Sequence, residues 1–175
     1  NAAALFEYFL KKYNLKLNET EIFEITSKIG SDTILGMYKN STIKLGNSKI
    51  KFAKIKRSIH LLLIKPSFGC STKSIYSKVN TYSKSQMNFN NNKFLSNKYL
   101  LNLSNDLEKP AFKKYPKLKK IKLFMENLDQ ILFSRMTGSG STIIGYFKSK
   151  KDCQNAQKIL KKKYKNYWCI LSKTI

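Results

Sequence analysis

A run of glycines and hydroxyls, Met136-Thr137-Gly138-Ser139-Gly140-Ser141, stands between two strand-like stretches. Glycines at alternate positions let backbone amides approach an anion closely, and the neighbouring hydroxyls are further donors. A plain hairpin loop could have the same composition; the run has neither the Gly-Lys-Ser/Thr ending of a Walker loop nor the spacing of a dinucleotide fingerprint. Ile29-Gly30-Ser31-Asp32 sets a carboxylate on a turn after a helix. It could take a proton from an attacking hydroxyl or help hold a metal-bound phosphate, although a solvated turn aspartate would look the same. Lys65-Pro66-Ser67-Phe68-Gly69-Cys70-Ser71-Thr72 joins an apolar strand to a helix that Ser71 or Thr72 can cap while facing an anion. One turn further on, Tyr76 offers a ring for stacking or for core packing. Asn105-Asp106-Leu107-Glu108 has the look of a paired-carboxylate site, yet a capping box accounts for it, with Glu108 reciprocating Asn105. His60 alternates with leucines and is read as a packed residue without a role. Cys70, Cys153 and Cys169 are far apart and lack metal-ligand spacing, so they read as free thiols in a reducing compartment, with no metal site among them.

The elements that must position these residues follow from periodicity and punctuation. Leu5, Phe6, Phe9, Leu10 and Tyr13 share a helix face in the opening segment, and Asn18 with Glu21 announces a second helix that Gly30 stops. Thr33 to Tyr38 reads as a strand, followed by a hairpin of strands 41–45 and 49–55 around Gly46-Asn47. The character of the chain changes near Arg57, where a domain boundary is placed, because the strand from Ser58 to Ile64 is apolar on both faces and belongs in the centre of a sheet. A short helix from Thr72 to Val79, a polar surface insertion from Asn80 to Asn97 and two helices starting at Asn105 and Pro116 come next. The second of these helices should bury Leu118, Ile121, Phe124, Met125 and Leu128. Strands 130–135 and 142–147 flank the glycine loop, and a helix over 149–164 and a strand over 166–171 complete an α+β sandwich of ferredoxin-like type, with helices on one face of a largely antiparallel sheet.

At 175 residues and 42% hydrophobic content the chain can bury a real core, and no apolar run reaches the roughly 18 residues of a membrane span. No membrane partner is expected and the expected location is cytoplasmic. The formal charge of +24, from 34 Lys and Arg against 10 Asp and Glu, raises a basic nucleic-acid-binding module as an alternative. Against it, every cationic side chain except Arg57 and Arg135 is lysine, whereas base readout and bidentate phosphate gripping favour the arginine fork. No specific nucleic-acid partner is expected, and oligomeric state is not legible.

Taken in order, the N-A-A start of a helix, the G-x-D turn, the K-P-x-F-G-x-S-T segment with its following aromatic, the N-D-L-E stretch and the M-T-G-S-G-S loop resemble the GHMP family of small-molecule kinases. The resemblance spans the whole chain and implies a C-terminal portion of a two-domain enzyme. Residues 1–56 would be the tail of a ribosomal-protein-S5-like ATP-binding domain, and residues 57–175 the GHMP C-terminal domain. It implies ATP with Mg2+ as cofactors. The branch of the family that carries the Lys65 to Tyr76 pattern phosphorylates the 2-hydroxyl of a CDP-linked methylerythritol in non-mevalonate isoprenoid biosynthesis; another GHMP kinase, of mevalonate or homoserine, is the alternative. By resemblance Asp32 is the catalytic carboxylate, Thr72 lies near the substrate diphosphate and Tyr76 stacks on the cytosine. Gly138, Ser139 and Gly140 lend backbone donors, while Asn1, Ala2 and Ala3 follow the ATP-phosphate loop. That loop and the lysine partnering the aspartate would lie upstream of Asn1, so residues 1–175 alone are expected to be inactive and poorly soluble. The family's Gly-x-Gly-Glu turn reads Gly46-Asn47-Ser48-Lys49 in this chain.

Overall fold

A computed structural model describes residues 2–30, 32–39, 41–45, 49–53, 58–83 and 97–174. The chain divides into two compact units, Asn1–Lys56 and Arg57–Thr174. In the first, helix α1 spans Ala2–Lys12 and helix α2 spans Glu19–Ile29. The box foreseen at Asn18 is formed: its Oδ1 accepts from the Glu21 N–H at 3.0 Å, and Glu21 accepts from the Asn18 N–H at 2.8 Å. Each bond satisfies an amide that the first helical turn leaves without a partner. Gly30 ends α2, its N–H donating to the Thr26 carbonyl at 3.0 Å.

The strand foreseen at Thr33 to Tyr38 is instead a 3-10 helix, Thr33–Met37. The Thr33 N–H donates to Gly30 O and the Leu35 N–H to Asp32 O, three-residue closures that curl the chain before it can extend. Gly36 lies so close to α1 that an added Cβ would sit 2.7 Å from the Ala3 Cβ. The β-branched composition thus yields to packing against a helix, since no strand among the described residues pairs with this segment. Strands β1 (Ser41–Leu45) and β2 (Lys49–Ala53) form an antiparallel pair. The Gly46-Asn47-Ser48 turn between them lies outside the described residues.

The second unit is a four-stranded antiparallel sheet of β3 (His60–Lys65), β4 (Ile131–Met136), β5 (Ile143–Phe147) and β6 (Trp168–Lys173), in the order β4-β5-β3-β6. The first of these strands in the chain is therefore interior, as its apolar run requires. Counted along the unit, the strands lie 2-3-1-4, which is the ferredoxin-like arrangement. Leu62 and Ile64 of β3 and Ile143 and Phe147 of β5 join one buried cluster with residues of α5 (Glu108–Lys114), α6 (Pro116–Glu126) and α7 (Lys150–Lys163). Helix α6 contributes Leu118, Ile121 and Met125, with Leu128 just beyond its end, while Phe124 is only half-buried and T-stacks on Tyr164. Pro116 begins α6 at the position where a missing N–H costs nothing. Ser149 caps α7 by accepting from the Asp152 N–H at 3.1 Å.

A short helix α3 covers Thr72–Tyr76, less than the stretch to Val79 anticipated, and α4 covers Asn97–Asn102. Most of the anticipated insertion, residues 84–96, lies outside the described residues. The two ends of the unit meet: the Ile59 N–H donates to Thr174 Oγ1 at 2.8 Å and the Thr174 N–H to Ile59 O at 3.0 Å. Among the described residues no helix is long and apolar enough to cross a membrane.

Candidate functional site

The glycine loop closes the hairpin of β4 and β5. The Thr137 N–H donates to Thr142 O and the Gly140 N–H to Thr137 O, both at 2.9 Å, so the loop is a tight turn over a paired base. Gly138 has φ +49° and Gly140 φ +93°, values that favour glycine at both positions. At Gly140 a Cβ would also meet Cys70 Sγ and Met136 Sδ, each at 3.0 Å.

The loop is tied to the Lys65 to Tyr76 segment. Thr72 Oγ1 and Ser139 Oγ lie 2.9 Å apart, joining positions 67 residues apart in sequence. Ser141 Oγ donates to Phe68 O at 2.8 Å. The Phe68 ring in turn stacks on Tyr115 at 5.7 Å between centroids, and Ser71 caps α3 by accepting from the Ser74 N–H. Burial pushes the Cys70 thiol up from its ordinary value, against the opposing pull of the Lys114 charge. Cys70 therefore stays a thiol beside the loop.

Tyr76 is half exposed at the rim of a cavity of about 430 Å³, lined also by Tyr82, Asn105, Asp106, Arg135, Met136 and Gly138. A concave space of this size with convergent polar groups is what a small polar ligand needs. Thr72, Tyr76, Gly138, Ser139 and Gly140 are thus brought together within the second unit. Asp32 and α1 belong to the first. Asp32 is exposed, directly before the 3-10 helix, and its carbonyl accepts from the Leu35 N–H at 3.1 Å. Ala2 opens α1 and Ala3 packs on Gly36, while Asn1 lies outside the described residues. Among the described residues no group of three His, Cys, Asp or Glu side chains could hold a metal ion.

The capping box foreseen at Asn105 does not form. Leu107, not Asn105, precedes α5, and it makes no side-chain cap bond. Asn105 Nδ2 donates instead to Met136 O and Gly138 O, and Glu108 Oε1 accepts from the Met136 N–H at 2.7 Å. Asp106 accepts from both the N–H and the hydroxyl of Ser83, fixing the chain that carries Tyr82 into the cavity wall. These partners lie 23 to 33 residues away, beyond any local pattern. Arg135, also missed, donates through Nη2 to Leu100 O at 3.0 Å and to Leu103 O. Its one visible signal was its rarity, since a multi-donor fork in a lysine-rich chain suits a site with two acceptors.

Residues 88–166 match the family described as GHMP kinases C terminal. Over all 175 residues the chain is 50% identical to 4-diphosphocytidyl-2-C-methyl-D-erythritol kinase of Pelagibacter ubique, covering 62% of that protein. It is 32% identical to the kinase of the same name from Thermodesulfovibrio yellowstonii over its full length and 64% of the relative. The chain therefore spans less than two thirds of the length of these curated relatives. A crystal structure of 4-(cytidine 5'-diphospho)-2C-methyl-D-erythritol kinase superposes with a TM-score of 0.75 over 97% of this chain and 62% of that one, at 18% identity. A homoserine kinase from Cytophaga hutchinsonii superposes less fully, with a TM-score of 0.52 over 73% of this chain and 44% of its own, at 13% identity. At such identities the two likenesses speak for the fold alone.

Proposed function

We propose that the chain is part of a GHMP kinase, the family whose C-terminal description matches residues 88–166, and that the protein transfers the γ-phosphoryl group of ATP to the 2-hydroxyl of 4-diphosphocytidyl-2-C-methyl-D-erythritol. In this reading residues 1–56 are the tail of the ATP-binding domain and residues 57–175 are the C-terminal domain. The observation that carries it is the 2.9 Å contact of Thr72 with Ser139. It joins the segment characteristic of this kinase to the loop common to the family, beside a cavity with Tyr76 on its rim. The name carried by the 50% identical relative supports the same substrate.

Phosphoryl transfer asks little covalent chemistry of a protein and much positioning. Tyr76 supplies a ring on which the cytosine stacks. Thr72 and Ser139 offer hydroxyls, and Gly138 and Gly140 a close backbone approach, to the diphosphate. Asp32 accepts the proton of the attacking hydroxyl. Asn1, Ala2 and Ala3 place the positive end of the α1 dipole toward the ATP phosphates. Mg2+ typically keeps one or two carboxylates and otherwise binds phosphate oxygens and water. Asp32 fits that limited role, and a bound ion would neutralise phosphate charge. The substrate is a small molecule, and the reading invokes neither nucleic acid nor membrane.

The test is phosphoryl transfer by the full-length protein with ATP and Mg2+, offered the CDP-linked substrate, mevalonate or homoserine. Turnover of the CDP-linked alcohol is expected, and turnover of mevalonate or homoserine alone would overturn the assignment. Tyr76→Ala should raise the KM for the CDP-linked substrate about tenfold, since stacking a base on an aromatic ring is worth roughly 1–3 kcal/mol.

A further inference from the structure

Asn105 commits its whole side-chain amide to backbone. Its Oδ1 accepts from the Leu107 N–H at 3.0 Å, which decides which end of the amide is which and turns Nδ2 toward two carbonyls, Met136 O and Gly138 O, each at 2.8 Å. Met136 is held on both of its backbone groups by one tetrapeptide, because Glu108 takes its N–H. In a planar trans peptide the N–H points opposite to the C=O, so a carbonyl drawn to Asn105 sends the next N–H away from it. For Met136 that next N–H is Thr137's, which donates to Thr142 O at 2.9 Å and closes the base of the loop. For Gly138 it is Ser139's, for which no hydrogen-bond partner is found among the described residues. One side chain thus sets the direction of an unspent donor in the loop. The φ of +49° at Gly138 is the conformation it pins.

We propose that Asn105 is a positioning residue that aims the Ser139 N–H as a donor to a phosphate oxygen of the substrate, an inference that rests on the kinase reading above. A fixed donor needs no reorganisation when charge arrives, and removing one such donor typically costs two to three orders of magnitude in turnover. Misaiming it by releasing the carbonyls should cost part of that.

Asn105→Asp keeps the acceptor and replaces the donor with an oxygen facing two carbonyls. Asn127→Asp is the matched control, since Asn127 Nδ2 also donates to a backbone carbonyl, in its case Leu123 O alone at 2.8 Å, at the far end of α6. In the full-length protein we expect Asn105→Asp to lower kcat/KM for the CDP-linked substrate about tenfold or more, leaving the KM for ATP unchanged. It should also speed amide exchange at Thr137 and Gly140 at least about tenfold, with Asn127→Asp doing neither. Wild-type kcat/KM in Asn105→Asp, or a loss shared by the control, would overturn the proposal. If the unmodified protein turns over no CDP-linked alcohol, the kinase reading fails by itself. Exchange then decides whether Asn105 holds the loop, and unchanged rates at Thr137 and Gly140 would reject it. Should Asn105→Asp not fold, Asn105→Ser, which removes the donor without adding charge, is judged by the same criteria.

Discussion

Gly36→Ala should pry the 3-10 helix away from α1, and the size of the effect can be worked from one distance. The added Cβ would lie 2.7 Å from the Ala3 Cβ. Carbon atoms rest at about 3.5–4.0 Å, so the two backbones must separate by roughly 1 Å. Neither methyl can rotate out of the way, and overpacking of this kind costs about 1–3 kcal/mol. Ala3→Gly removes the opposing methyl at a helix propensity cost of about 1 kcal/mol. With that methyl gone, Gly36→Ala should be harmless or slightly favourable, because a compatible alanine stiffens the unfolded chain by about 0.4–1 kcal/mol. The double variant is therefore expected near the wild type, with a coupling of about 1–3 kcal/mol between the sites. Amide exchange followed by mass spectrometry reads this locally. Peptides covering α1 and residues 33–37 should exchange about tenfold faster per 1.4 kcal/mol in Gly36→Ala and recover in the double variant, with peptides from α6 as the internal reference. A double variant that exchanges as fast as Gly36→Ala alone would refute the steric reasoning.

Ser134→Ala should leave stability unchanged or raise it by up to about 1 kcal/mol, since the buried Ser134 Oγ has no hydrogen-bond partner among the described residues; a loss of more than about 1 kcal/mol in urea unfolding would reveal a partner. Burial, with lesser contributions from Cys169 and Asp152, raises the Cys153 thiol from 9.0 to about 11. The unfolded chain therefore releases this proton first, and stability should be unaffected below pH 9 and fall as pH rises from 9 to about 11. Cys153→Ala should flatten that part of the pH profile, and an unaltered slope would show that other groups govern it.

Local chemistry was legible wherever its partner lay within one helical turn. The Asn18 and Glu21 box, the Ser71 cap and the Pro116 start each need only residues within about one helical turn, and all formed. The apolar run of β3 identified an interior strand because only a doubly paired strand keeps both neighbours. Thr33 to Met37 misled because its residue types favour a strand, while its conformation is decided by Ala3, thirty positions earlier in the chain. Asn105 misled for a related reason. Its three-residue spacing to Glu108 is that of a capping box, but both side chains find stronger occupation in the loop at Met136 and Gly138. Of the candidate site, the parts chosen for residue type, Thr72, Tyr76 and the glycines, could be named in advance. The groups that hold them could not, because a backbone carbonyl carries no sequence signature.

The meeting of Ile59 with Thr174 makes the second unit closed upon itself, entering and leaving through adjacent hydrogen-bonded positions. Such a domain behaves as a cassette: it can be spliced between two points of a host chain that are a few ångströms apart without stretching the host. By the same geometry circular permutation is expected to be tolerated, with Ile59 and Thr174 joined by a short linker and new termini opened at the exposed Lys165-Asn166 turn. The strand order would survive such a cut unchanged, because none of the four strands is divided by it.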